Sequence, residues 1–327
     1  MGGDLAPAAA ITGARDAVGH RPDLSVLLVG DRQKVPDALL QLASHPQLEW
    51  VQAQEVIATA DPPVQAVRQK TDSSLVRAIR LVRDGQADAA ISAGNTGALM
   101  AAGLFVLGRL AGIERPALSA ILPSFQGWGL LLLDVGANLD PRPFQLYQYG
   151  VMGSVYCREV YNIDNPKVAL LNVGVEAEKG PPLIREAHEL LARDTELNFI
   201  GNLEPRELLQ GHADIVVTEG FAGNVALKAI EGAARDIFRE VRGALLGGWR
   251  QKLGAFLARE GFRSLKARWD YQEQGGAPLL GLNQIVYKCH GSSDERAFSR
   301  TLLRADDYCR HDSQNRIRER IREGAEA

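Results

Sequence analysis

The feature that most restricts how this chain can fold is a set of short runs that are apolar at nearly every position. SVLLVG (25–30), ADAAIS (87–92), LLLLDV (130–135), VALLNV (168–173), LNFIG (197–201), ADIVVT (213–218) and IVYKCH (285–290) all have this character. A strand with one wet face alternates apolar and polar residues, whereas an unbroken apolar run suits a parallel strand covered on both faces. Between the runs lie stretches such as DSSLVRAIRLVRDG and PPLIREAHELLARD, with apolar residues at helical spacing and Gly or Asp after the last turn. This alternation predicts an α/β chain built on a mostly parallel sheet.

Composition narrows the choices further. At 327 residues, 46% of them hydrophobic, the chain is long enough for one large domain or two closely joined lobes. A net charge of −3 gives no overall pull toward nucleic acid. Cys157, Cys289 and Cys309 share no close spacing, so neither a disulfide framework nor a zinc site is expected, and reduced cytoplasm is the default compartment. The start MGGDLAPAAA lacks the basic and apolar parts of a secretory signal. No apolar run approaches the roughly 20 residues that span a bilayer, so any membrane contact is expected to be peripheral.

The strand ends carry a second pattern. SAGNTGALMAA (92–102), DVGAN (134–138), NVGVEAEKG (172–180), TEGFAGN (218–224) and HGSS (290–293) place Gly with Asn or His beside a strand terminus. Glycine lets the backbone approach a ligand or take positive φ, and successive N–H groups then make an anion seat. Any one of these loops is equally a tight strand-to-helix turn. Together they predict an uncharged phosphate or carbonyl cradle gathered along one sheet edge, where ligands of α/β sheets usually bind.

From about 240 to 275 there is no strand signal. Trp249, Leu253, Phe256 and Leu257 fall on one helical face. Arg250, Lys252, Arg259, Arg263, Lys266 and Arg268 face a single acid, Glu260, between 249 and 269. Two readings stand: a helical pair that packs on the body or on a second subunit, or a basic amphipathic projection that rests on an anionic membrane surface or an acidic protein. The tail after Arg304 is polar and alternately charged, and reads as a solvated helix.

The segments MGGDLAP, KTDSSLVRA, SAGNTGALMAA, DVGAN, VMGSVY, LLNVG followed by EKG, GNLEP, EGFAGNVALK, GGAPLLGL and HGSS occur here in that order. They resemble the signature segments of the bacterial phosphate acyltransferase family, over nearly the whole chain from Met1 to about Arg304. The resemblance implies a single three-layer α/β/α domain over 1–327 with a mostly parallel sheet, like phosphotransacetylase and isopropylmalate dehydrogenase, with a helical projection at about 240–275. It implies a cytoplasmic homodimer, peripheral at the inner face of the cell membrane, with no metal and no cofactor. The implied substrates are acyl-(acyl carrier protein) and inorganic phosphate. The product, long-chain acyl-phosphate, would feed a membrane glycerol-3-phosphate acyltransferase in phospholipid synthesis. It also implies a short strand ahead of MGGDLAP, so that Gly2, Gly3 and Asp4 are a strand-end loop whose strand would precede Met1. A chain without that strand could be impaired in activity. Glu219 stands where the family carries Asp, and the acidic run after NVG is shortened to Val175–Glu178.

Attack of phosphate on a thioester needs a held anion, a stabilised carbonyl oxygen and a departing thiolate, but no covalent enzyme intermediate. The absence of a Gly-x-Ser-x-Gly elbow fits that chemistry. Lys179, in a glycine-flanked loop, is a compact charge suited to phosphate, and equally an ordinary surface lysine. Asn224 reads as a helix N-cap or, by the resemblance, as the oxyanion donor. These two are the expected catalytic pair. Gly3, Asp4, Gly94, Asn95, Thr96, Asn138, Glu219 and His290 are the expected substrate-binding set. His290 could protonate the thiolate or simply tie its loop, and Asp4 and Glu219 could orient Lys179 or satisfy backbone donors. Trp249, Leu253, Phe256 and Leu257 are the expected membrane contacts. The rival readings are a phosphotransacetylase acting on coenzyme A, and a silent scaffold that recruits a membrane acyltransferase.

Overall fold

A computed structural model describes residues 2–269, 275–311 and 313–326, without the side chains at 264, 266–268 and 323–326. Residues 270–274 of the expected projection, and the side chains of Lys266 and Arg268, therefore lie outside the described residues. The strands are β1 (Val26–Gly30), β2 (Leu48–Gln52), β3 (Ala89–Ser92), β4 (Ala117–Leu122), β5 (Leu130–Leu133), β6 (Lys167–Leu171), β7 (Asn198–Leu203), β8 (Ile215–Val217), β9 (Ala277–Leu280) and β10 (Ile285–Lys288). The first helices are α1 (Ala8–His20), α2 (Asp37–Ala43), α3 (Pro63–Gln69), α4 (Ser74–Arg83), α5 (Thr96–Ala102), α6 (Pro143–Tyr161) and α7 (Pro182–Arg193). After them come α8 (Gly220–Leu246), α9 (Trp249–Leu257), α10 (Arg259–Trp269), α11 (Glu295–Arg310) and α12 (Ser313–Glu326).

Eight strands form one sheet in the order β3-β10-β9-β4-β5-β8-β6-β7, while β1 and β2 pair separately and in parallel. The apolar runs owe their continuity to burial on both faces. Leu131 and Leu133, Val168 and Leu170, and Ile215 and Val217 join the core beneath α6 and α7. Their alternating neighbours Leu130, Leu132, Ala169, Leu171 and Val216 join the opposite core with residues of α4 and α5, and Ala226, Leu227 and Ile230 of α8 pack against it. Successive side chains of a strand point to opposite faces, so a polar residue in either set would be buried unpaired.

The sheet is mixed at its centre. Pairings β3–β10, β5–β8, β8–β6 and β6–β7 are parallel, but β10–β9, β9–β4 and β4–β5 are antiparallel. An odd number of reversals separates β3 and β10 from β5, β8 and β6. Their carboxyl ends therefore lie on opposite sheet edges, which corrects the expectation of one common edge for all the glycine loops.

Three strands escaped the sequence reading. β2 (LEWVQ) carries polar residues, β4 lies between Pro116 and Pro123, and β9 follows Gly275 and Gly276 and itself contains Pro278. SVLLVG is a strand, but it lies outside the main sheet, over a small core of Ile11, Val18, Leu28 and Leu48 joined by Leu302. The charged tail is likewise not merely solvated. Tyr308, Ile317 and Ile321 are fully or almost fully buried in the core beneath α6, while Arg316 pairs with the buried Glu159 and Arg320 with Asp194.

The projection begins earlier than the composition suggested. Within the 27-residue α8 only Gly220 and Gly223 are buried, and α9 has no buried residue. Among the described residues no helix is long and apolar enough to cross a membrane. If the tail is structural, Ile317→Ala or Ile321→Ala lowers stability by about 2–5 kcal/mol through lost burial and a cavity. Urea unfolding measures this, and wild-type midpoints would return the tail to solvent.

Candidate active site

The expected site residues fall into three groups, built by different strand ends. The first is held together by a buried carboxylate. Asp134, just beyond β5, is wholly inaccessible and accepts hydrogen bonds from the backbone N–H groups of Leu118 (3.0 Å), Gly136 (3.2 Å), Ala137 (3.0 Å) and Asn138 (2.6 Å). Burial pushes its carboxyl upward, against the pull of these donors. The loop so drawn in abuts the start of α8. A Cβ on Gly223 would lie 1.9 Å from the Asp134 carbonyl oxygen, and one on Gly136 would lie 2.6 Å from Asn224 Nδ2. Only hydrogen at both positions allows this approach, and Gly136 also takes a φ of +130°.

Within this group the expected roles divide. Glu219, not Asn224, caps α8: its two carboxylate oxygens accept from Phe221 N (2.6 Å) and Ala222 N (2.8 Å). A carboxylate filling the N-cap repels a phosphate at that helix end, which weighs against the substrate contact expected of Glu219. Asn138 is also committed. It donates from Nδ2 to Pro116 O (2.7 Å) and Asp134 Oδ2 (3.2 Å), and its carbonyl accepts from Gly220 N (2.8 Å). Asn224 stands one turn inside the helix, half-buried, and donates through Nδ2 to Val135 O (2.9 Å). An amide nitrogen carries two hydrogens, so a second donor remains on Nδ2.

The second group follows β6 and lies on the same sheet edge, because β5, β8 and β6 run in one sense. Asn172 donates from Nδ2 to the carbonyl of Lys179 (3.0 Å) and accepts from Val173 N (2.8 Å), closing the loop upon itself. Gly180, at φ +85°, leaves no room for a Cβ, which would stand 2.3 Å from Asn172 Oδ1. The ring holds Lys179 in the solvent-exposed part of the loop.

The third group occupies the carboxyl ends of β3 and β10. Gly2 lies so close to the loop after β3 that a Cβ would come within 2.6 Å of Gly94 Cα; Gly3 has φ +100°, and Asp4 N donates to Gly291 O (2.7 Å). His290 Nδ1 lies 2.7 Å from Ser292 Oγ within its own loop. Asn95 departs from expectation. Its Oδ1 caps α5 by accepting from Ala98 N (3.0 Å), and its Nδ2 reaches the carbonyls of Ala58, Thr59 and Asp61 (3.3, 3.0 and 3.2 Å). Both ends of the amide are engaged in tying the 58–61 segment to α5. Thr96 is exposed beside it.

Two residues here went unread in the sequence. Asp134 is the hub of its loop, and Lys288 rises half-buried beside Ser92, its registered partner on β3. An acid directly after four leucines and a lysine inside the last apolar run were the available signals. Both break a pattern that burial otherwise enforces.

Trp249, Leu253, Phe256 and Leu257 are 72%, 54%, 61% and 77% exposed. The guanidinium of Arg250 lies over the Trp249 ring at 5.3 Å, and that of Arg259 over the Phe256 ring at 5.0 Å. Cys157 and Cys289 are buried free thiols that burial pushes up in pKa, so neither is a ready nucleophile. Among the described residues no three His, Cys, Asp or Glu side chains are grouped so as to hold a metal.

Comparison with known proteins adds a family to this geometry. The model of a family described as "Fatty acid synthesis protein" matches residues 1–316. Phosphate acyltransferase of Bacillus licheniformis is 48% identical over 326 residues, covering 100% of this chain and 98% of that protein. The phosphate acyltransferase of a Geobacillus species is 49% identical over 321 residues, covering 98% and 96%. Among solved structures, a phosphotransacetylase from Streptococcus pyogenes superposes with a TM-score of 0.60 at 18% identity, covering 92% of both chains. A branched-chain phosphotransacylase from Enterococcus faecalis gives 0.58 at 16%, covering 95% and 97%. At such identities these two establish the shared fold.

The close approach of α8 to the Asp134 loop gives a direct test. Gly223→Ala forces backbone apart and is expected to cost about 1–3 kcal/mol or more. Gly232→Ala, where a Cβ meets nothing within 4 Å, is the control and should be neutral or slightly stabilising. Equal urea midpoints for the two variants would contradict the packing described.

Proposed function

The chain belongs to the fatty acid synthesis protein family, whose relatives include the phosphate acyltransferases, and from that premise we propose that it transfers an acyl group from acyl-(acyl carrier protein) to inorganic phosphate. The observation that carries this is the 48% identity to a phosphate acyltransferase over the full chain. A phosphate oxygen attacks the thioester carbonyl carbon, the C–O bond forms, the C–S bond breaks, and the carrier's thiolate departs and takes up a proton. The product is an acyl-phosphate, an activated acyl donor for glycerol-3-phosphate.

Lys179 and Asn224 are the residues proposed to act on the reacting atoms. Their loops share one sheet edge, which supports the pairing. The exposed Lys179 ammonium offers a mobile charge to phosphate or to the developing oxyanion. The second Nδ2 hydrogen of Asn224 offers a neutral donor, held in place by the Val135 carbonyl. Loss of one such donor typically costs about 10²–10³ in rate. Lys179→Ala and Asn224→Ala should each lose turnover on that scale while keeping wild-type circular dichroism. The assay mixes long-chain acyl-(acyl carrier protein) with phosphate and measures acyl-phosphate. Full rates in both variants would refute the pair. Product from coenzyme A thioester alone would favour phosphotransacetylase activity, and no product from either donor would favour a scaffold.

The projection supplies the second half of the reading: a homodimer that works in the cytoplasm with α9 resting on the anionic inner face of the cell membrane, close to the enzyme that consumes its product. Exposed Trp249, Leu253, Phe256 and Leu257, with arginines among them, suit a headgroup boundary better than water. Leu253→Glu with Phe256→Glu should abolish sedimentation with anionic vesicles and leave soluble turnover intact. Undiminished vesicle binding would remove α9 from the membrane. Light scattering tests the dimer independently.

A further inference from the structure

The proposed chemistry does not use Lys288, a half-buried cation. Lys288 ends β10, and the alternation along that strand decides which way it faces. Ile285 and Tyr287 join the core under α6, whereas Val286 joins the opposite core. Lys288 therefore shares the face of Val286, the side on which Ala226, Leu227 and Ile230 of α8 join the core. Its registered neighbour Ser92 accepts from Gly94 N at 3.1 Å through Oγ, so the lysine stands beside the glycine turn that opens α5. Gly2, Gly3 and Asp4 close over the same turn, and Gly291 borders it.

The surroundings of the ammonium are sparse. Nζ donates to the backbone carbonyl of Cys289, and among the described residues it forms no salt bridge. Desolvation lowers its pKa, against the opposing pull of Cys289 and Asp4. A half-buried ammonium holding a single carbonyl has two donor hydrogens to spare and an unpaid solvation cost. Either an anion relieves that cost when bound, or the protein carries it without return. The neighbouring backbone is glycine at positions 2, 3, 94 and 291, with Ala93, Ser92 and the Asp4 carboxylate among the adjoining side chains.

We propose that Lys288, with the Gly2–Asp4 loop and the Gly94 turn, seats a phosphate group. This rests on the acyltransferase reading, and two sources share the chemistry. One is inorganic phosphate; the other is the phosphodiester of the donor's pantetheine arm. Lys288 is a binding residue in either case. A charge-assisted hydrogen bond of this type accounts for about a 10- to 100-fold change in affinity.

The test is Lys288→Gln in the full chain, with Michaelis constants for inorganic phosphate, for acyl-(acyl carrier protein) and for an acyl-pantetheine that lacks phosphate. A rise of about 10- to 100-fold in the KM for inorganic phosphate alone supports the seat and names its occupant. A rise for the carrier-protein donor but not for acyl-pantetheine supports the seat with the phosphodiester as occupant. Unchanged constants in a folded variant overturn it. If Lys288→Gln does not fold, Asp4→Asn decides: removing the Asp4 carboxylate beside the seat should tighten phosphate binding, and unchanged binding overturns the proposal. Thermal unfolding of the wild type against Asp4→Asn in rising inorganic phosphate reads the seat without turnover. A wild type that makes no acyl-phosphate yet is stabilised by phosphate through Lys288 would refute the acyltransferase reading and leave the seat standing.

Discussion

Everything in this molecule depends on burying both faces of the short strands β5, β8 and β6. Three to five residues per strand suffice because each strand contributes alternately to two cores, one under α6 and α7, the other under α4, α5 and the first turns of α8. Nothing polar fits inside such strands without a partner, so the chemistry is displaced to their ends. There the chain needs loops that turn within a few residues, and glycine and asparagine supply them.

Asp134 shows what that displacement requires. Its carboxylate sits in the interior at the end of β5, where charge is costly, and is met by four backbone donors and an asparagine amide. Those bonds shape the loop, and the loop in turn fixes the start of α8 through Gly220 and Gly223. The position of Asn224 follows from this carboxylate as much as from its own helix. Glu219, Asn138 and Asn95 also hold backbone.

Separation of the glycine loops onto two edges is the consequence of three antiparallel pairings in the middle of the sheet. It divides the molecule's polar equipment into an edge with Lys179 and Asn224 and an edge with Gly2–Asp4, Gly94, Lys288 and His290.

By itself the sequence determined the seven apolar strands, the α/β class, the strand-end loops and the exposed helical stretch. Each is a local consequence of residue spacing: unbroken apolar runs demand two covers, and Trp249, Leu253, Phe256 and Leu257 share a face at helical period. Tertiary structure alone decided that SVLLVG leaves the main sheet, that β4 and β9 reverse the strand sense, and that Ile317 and Ile321 draw a charged tail into the core. It also decided that Glu219 caps α8 in place of Asn224. Strand order, pairing sense and the choice among competing hydrogen-bond partners depend on residues far apart in the chain, and spacing along the sequence carries no record of which distant backbone will arrive first.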